Sequence, residues 1–139
     1  MTMNKQKGFT IIELIVVIAI IAVLAAIVLV NVTQYIAKSR DAAIKGNMAT
    51  IATNAAVFFD GNNTYVGFAS GASYSQPASA VNSAGGTMGT PNASTSAFCV
   101  SATLTDDTTT WCIDSTGYKG ALTTGACTGT SYTCATAAE

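Results

Sequence analysis

Residues 9–30 form one apolar run, broken only by Thr10 and Glu13. At ~1.5 Å per residue it makes a helix of about 33 Å, long enough to cross a bilayer. A chain of 139 residues has room for one modest domain, whose core cannot also house such a helix. The sequence therefore predicts an anchor followed by a single small domain. The polar residues 1–8 carry Lys5 and Lys7 ahead of the run. That charge placement predicts a cytoplasmic N-terminus, with everything after residue 30 on the far side of the membrane. An ordinary secretory signal has a shorter apolar region and a small-residue cleavage site behind it, so this helix is expected to be retained.

Composition narrows the function. Charged residues make up 9% of the chain and the net charge is −1, so no basic field exists to attract nucleic acid. Histidine is absent, which removes the commonest general base and the commonest metal ligand. No nucleophile paired with a base, no phosphate loop and no paired carboxylates stand out, so neither an enzyme nor a cofactor is expected.

Glu13 is the residue that needs an explanation. A carboxylate within a membrane span costs about 2.5–3.5 kcal/mol on insertion scales, so a partner should offset it. Lys7 or lipid headgroups would serve if Glu13 lies near the membrane edge. The wider pattern, Lys7-Gly8 followed by Phe9-Thr10-Ile11-Ile12-Glu13-Leu14 and an aliphatic run, closely resembles the class III signal of type IV pilins and the related pseudopilins. That resemblance covers residues 7–32 closely. It implies cleavage between Gly8 and Phe9 by a prepilin peptidase, N-methylation of Phe9, and a role for Glu13 in recruiting subunits into a fibre.

A physical reason for the spacing stands beside the resemblance. Cutting after Gly8 creates a cation on Phe9 in nearly the same low-dielectric layer as Glu13. The amine of one subunit could meet the carboxylate of the next and define a register, or the two could pair within one helix at i,i+4. The sequence leaves both open. It departs from the family in having Ala22 and Val30 where many pilins have a glycine and a proline. Residues 23–29 contain neither breaker, so a more continuous helix is expected.

Beyond residue 30 the pattern becomes amphipathic, with Ile44, Met48, Ile51, Ala55 and Phe58 at spacings of four and three. Residues 31–59 are read as continuing the helix into the head, and Asp60-Gly61-Asn62-Asn63 as its stop. Residues 60–96, rich in Ser, Ala, Gly, Thr and Asn, read as a connecting loop. Residues 97–139 read as a β-rich head, its clearest strands at 97–104 and 108–114 forming a hairpin about Asp106-Asp107.

Cys99, Cys112, Cys127 and Cys134 all fall in that head. An even count beyond a membrane span predicts two disulfides, since the wide spacings and missing histidine do not suit zinc. Pairing about the turn sets Cys99 near Cys112 and favours Cys99–Cys112 with Cys127–Cys134. Asp106, Asp107 and Asp114 do not form a calcium loop and are expected to be solvated. Sequons at Asn31, Asn62 and Asn92 permit glycosylation.

The expected fold class is α+β, a pilin-like long helix whose apolar half protrudes and whose amphipathic half packs on a small antiparallel sheet. The expected function is a structural subunit of a type IV pilus-like filament, stored in the membrane and then displayed on the surface. Its expected partners are further copies of itself, the prepilin peptidase, the assembly machinery and lipid before assembly. Two competing readings are a pseudopilin of a secretion or competence system and a signal-anchored binding domain or small hydrolase that never polymerises.

Overall fold

The computed structural model describes residues 8–106, 108–122 and 127–134, together with the backbone but not the side chains of Val30 and Asn31. Lys5, Lys7, Asp107 and the side chain of the Asn31 sequon lie outside the described residues. The chain divides into two compact units between Ile36 and Ala37. Helix α1 (Ile11–Asn62) is the helix among the described residues of the first unit and the leading element of the second. The single uninterrupted helix expected from the absence of proline is present.

In the first unit the described side chains of α1 are exposed, aliphatic and aromatic alike. In the second, Ile44, Met48, Ile51 and Ala55 are fully buried, which is the stripe that the spacing of four and three predicted. They pack with Val81, Phe98, Val100, Ala102, Leu104 and Ile113 in one cluster. Phe58 and Phe59 extend it into an aromatic group in which Phe59 stacks on Tyr65 at 4.6 Å and Tyr65 meets Phe98 at 4.9 Å. The helix ends three residues later than expected. Asn63 takes a left-handed φ of 54° and donates its N–H to the Phe59 carbonyl, while the Asn62 side chain covers that of Phe58.

The segment read as a loop, residues 60–96, contains a second helix, α2 (Ala72–Ser83), and two short strands, β1 (Thr87–Met88) and β2 (Asn92–Ala93). The reason is visible in what α2 buries: Tyr74, Pro77, Ala78 and Val81, a helical stripe built from residues that do not read as one. Pro77 lacks the N–H that would bond the Ser73 carbonyl, and Asn54 of α1 donates its side-chain amide to that carbonyl at 2.6 Å instead. The Gly85-Gly86 pair ends α2. Gly85 donates to the Asn82 carbonyl and Gly86 to that of Val81, a Schellman closure in which Gly85 holds a φ of 99°. A Cβ on Gly86 would come within 2.7 Å of the Thr103 carbonyl, so the chain passes closer to the backbone at Thr103 than any other residue allows.

The sheet is antiparallel, in the order β1-β3-β4-β5 with β2 also on β3 (Phe98–Thr103); β4 is Thr110–Asp114 and β5 Lys119–Ala121. The expected β3–β4 hairpin is present. Asp106 closes it by accepting the Thr108 and Thr109 N–H groups and the Thr109 hydroxyl. Those bonds, led by the Thr109 N–H, hold its carboxyl well below the ordinary range, down to about 2. Asp41 of α1 accepts both the N–H and the hydroxyl of Thr105, tying the loop to the helix.

The disulfide pairing differs from the expectation: the bonds are Cys99–Cys127 and Cys112–Cys134. Cys99 lies opposite Asp114, and Cys112 lies opposite Ser101. The two cysteines are therefore diagonal rather than facing, at the ~7–8 Å typical of such neighbours and outside easy bridging range. Strand alternation puts both on the sheet face away from Val100 and Ile113. There residues 127–134 cross and are bonded to each in turn, forming a second, cysteine-lined cluster.

Replacing Asn54 with Ala is expected to lower the stability of the second unit by about 1 kcal/mol, the usual value of one such bond. In a Pro77→Ala background the same change should cost less, because the backbone N–H restored at position 77 can then reach the Ser73 carbonyl. Denaturant unfolding of the double-mutant cycle measures this, and equal costs in both backgrounds would refute the pairing of Asn54 with the proline gap.

Candidate assembly site

Helix α1 starts at Ile11, so Gly8, Phe9 and Thr10 precede it and the Gly8-Phe9 peptide lies outside the helix. Phe9 is 80% exposed. Thr10 is the N-cap and Glu13 the third helical residue, and the two form a reciprocal capping box. The Thr10 N–H donates to Glu13 Oε2 at 2.9 Å, the Thr10 hydroxyl donates to the same oxygen at 2.8 Å, and the Glu13 N–H donates to Thr10 Oγ1 at 3.3 Å. The acid also sits in the first turn, where the helix dipole favours negative charge.

A cation is the partner expected for Glu13 from the sequence; among the described residues its partner is Thr10. Thr10 was missed, although Thr-x-x-Glu ahead of an apolar run is a helix-start signal that could have exposed it. The box uses Oε2 for both accepted bonds and leaves Oε1 outside it. It also bears on the i,i+4 alternative. Phe9 stands before the N-cap, so Phe9 and Glu13 do not share a helical face in the way a true intrahelical pair does.

Behind this turn, Ile12, Leu14, Ile15, Ile18, Ile21, Leu24 and Val28 are all exposed within the chain. An apolar surface of this extent requires cover from lipid or from other protein. The helix is long and apolar enough to cross a membrane.

The four cysteines are all engaged in disulfides, as expected for the group. Asp114 is buried and fully employed: Oδ1 accepts the Thr116 N–H, the Thr116 hydroxyl and the Tyr118 N–H, and Oδ2 accepts the Cys134 N–H at 2.8 Å. The Asn92 amide donates to the Gly129 and Ser131 carbonyls, so the Asn92 sequon is occupied in holding the crossing segment. Among the described residues no three acidic or cysteine side chains group as a metal site.

A long N-terminal helix with an acid in its first turn, its described apolar side chains exposed within the chain, followed by a small antiparallel sheet, is a pilin-like α+β fold. Residues 3–29 match the prokaryotic N-terminal methylation motif. The chain is 47% identical over 58 residues to the type IV major alpha-pilin of Moraxella bovis, covering 40% of this chain and 36% of that protein. It is likewise 47% identical over 58 residues to fimbrial protein Q of Moraxella bovis, covering 40% of this chain and 37% of that one. The matches thus span little more than a third of these relatives' length. The motif and the relatives make the chain similar to type IV pilins over its N-terminal part, and they support a pilin-type structural subunit. The motif and the apolar helix fit a membrane-anchored precursor.

Replacing Thr10 with Val should remove the box and speed amide exchange at Thr10 and Glu13 by roughly five- to tenfold, about 1 kcal/mol of capping, while Thr10→Ser should retain protection. Hydrogen exchange on the bilayer-embedded chain reads this directly, and unchanged protection in Thr10→Val would show that the box is not what holds the first turn.

Proposed function

We propose that the chain is the precursor of a structural subunit of a type IV pilus-like filament, polymerising through residues 9–32. Processing would cut between Gly8 and Phe9 and methylate the new Phe9 terminus, with a prepilin peptidase as the partner in that step. The subunit would then wait in the membrane, with lipid covering its apolar helix, until assembly machinery passes it to a growing fibre.

The observation that carries this reading is Glu13, an acid in the first turn of an otherwise uncovered apolar helix that begins just after Phe9. In the precursor, Thr10 satisfies one oxygen of that acid. Cleavage adds a cation on Phe9, and in a bundle of such helices the amine of one subunit and the carboxylate of its neighbour neutralise each other. In a low-dielectric layer that contact is worth far more than in water, and a one-subunit axial offset makes it repeat. The exposed aliphatic surface then exchanges lipid for neighbouring helices. The named relatives, a pilin and a fimbrial protein, favour a surface fibre over the short filament of a pseudopilin.

Glu13→Leu is expected to abolish fibres while leaving the chain in the membrane with an intact, oxidised head. Electron microscopy of surface fractions, with intact-mass analysis for leader removal and methylation, measures this. Normal fibres from Glu13→Leu would overturn the proposal. Recovery of wild-type chain only with its Met1 terminus would do so as well, and would favour a signal-anchored domain that does not polymerise.

A further inference from the structure

The crossed disulfides join the first cysteine to the third and the second to the fourth, with sequence separations of 28 and 22. The β3–β4 hairpin has two frames that satisfy its hydrophobic pattern. In the native frame Cys99 faces Asp114 and Cys112 faces Ser101. A slip of one residue would turn every side chain over, whereas a slip of two keeps Phe98, Val100, Ala102 and Ile113 toward the helix. That second frame sets Cys99 directly opposite Cys112. Facing residues lie at ~4.5–5.5 Å between Cα atoms, within the range a disulfide spans, whereas diagonal ones do not. A Cys99–Cys112 bond and the native frame therefore exclude each other.

Order of appearance favours the wrong frame. On the export reading above, on which this inference rests, the chain crosses the membrane with Cys99 and Cys112 ahead of Cys127 and Cys134. At chain-growth rates of ~5–20 residues per second, the hairpin has on the order of a second or more before Cys127 arrives, and hairpins close in microseconds. We propose that Cys127 is a resolving thiol: Cys99 and Cys112 are oxidised together first, and Cys127 then breaks that bond to deliver the native frame.

The first step passes two electrons and two protons from Cys99 and Cys112 to an oxidant bearing a reactive disulfide, as expected in an oxidising export compartment. The Cys127 thiolate then attacks Cys99 Sγ. The Cys99–Cys112 bond breaks, Cys99–Cys127 forms, and Cys112 leaves as a thiolate. The hairpin is freed to shift by two residues, and Asp106 closes the native loop through Thr108 and Thr109. Oxidation of Cys112 with Cys134 by a second oxidant molecule completes the pair. The finished structure fits this order. Cys99, Cys112 and Cys134 are fully buried while Cys127 keeps 8% exposure, and Cys127 alone of the four takes a left-handed φ, 53°.

The test is pulse labelling of the full chain in exporting cells, with thiols blocked at intervals and bonds mapped by peptide mass. Wild type should show Cys99–Cys112 first, decaying as Cys99–Cys127 rises. Cys127→Ser should retain Cys99–Cys112 and lose Cys112–Cys134. Native bonds appearing in wild type with no Cys99–Cys112 at any time would overturn the proposal, even if the variant fails to fold. So would Cys112–Cys134 with a free Cys99 as the main product of Cys127→Ser. Four free thiols throughout the wild-type chase would overturn the export reading as well, a result distinct from the other two.

Discussion

The structure turns on how a carboxylate is accommodated at the head of an apolar helix. Left bare in such surroundings, Glu13 would be an uncompensated cost. The first turn meets it within the chain: Thr10 caps the helix, Glu13 reaches back to the Thr10 N–H, and two donors share one carboxylate oxygen. On the proposed function, this holds the acid at the end of the helix where a neighbouring subunit's amine would meet it. The same arrangement fixes the start of the helix at Ile11, so the Gly8-Phe9 peptide stays outside the regular helix.

The head solves a different problem. Its helix-facing side is a conventional core, with α1 supplying Ile44, Met48, Ile51 and Ala55 and the sheet supplying Val100 and Ile113. The other side of the sheet offers little apolar surface to bind residues 127–134. Covalent bonds take that part: two disulfides, reinforced by Asn92 and by Asp114 through the Cys134 N–H. In a domain this small, crosslinks of ~2–4 kcal/mol each are large beside the total stability.

What could be read in advance followed from strong periodic signals. The long helix, its buried stripe and the hairpin were all plain because aliphatic residues marked them. Helix α2 was hidden because its buried face uses Tyr74, Pro77, Ala78 and Val81, and because the Ser73 carbonyl left open by its interior proline is met by Asn54, distant in sequence. The disulfide pairing was hidden because it depends on a two-residue choice of register that alternation does not make. Thr10 was legible in its Thr-x-x-Glu pattern, since a threonine three residues ahead of a glutamate at the start of an apolar run signals a capped helix. Gly85-Gly86 falls within the segment read as a loop and is the closure of α2.

The proposed contact between subunits is open to direct measurement. Fibres grown from an equal mixture of two pools, one labelled with 15N and the other with 13C, restrict nitrogen-to-carbon magnetisation transfer in solid-state NMR to pairs that bridge subunits. Transfer from the Phe9 amine nitrogen to the Glu13 carboxyl carbon is expected in the mixed fibres, at a separation of about 4 Å or less. Transfer seen only when both labels are in the same chain, and absent from mixed fibres, would contradict the pairing of neighbours through Glu13.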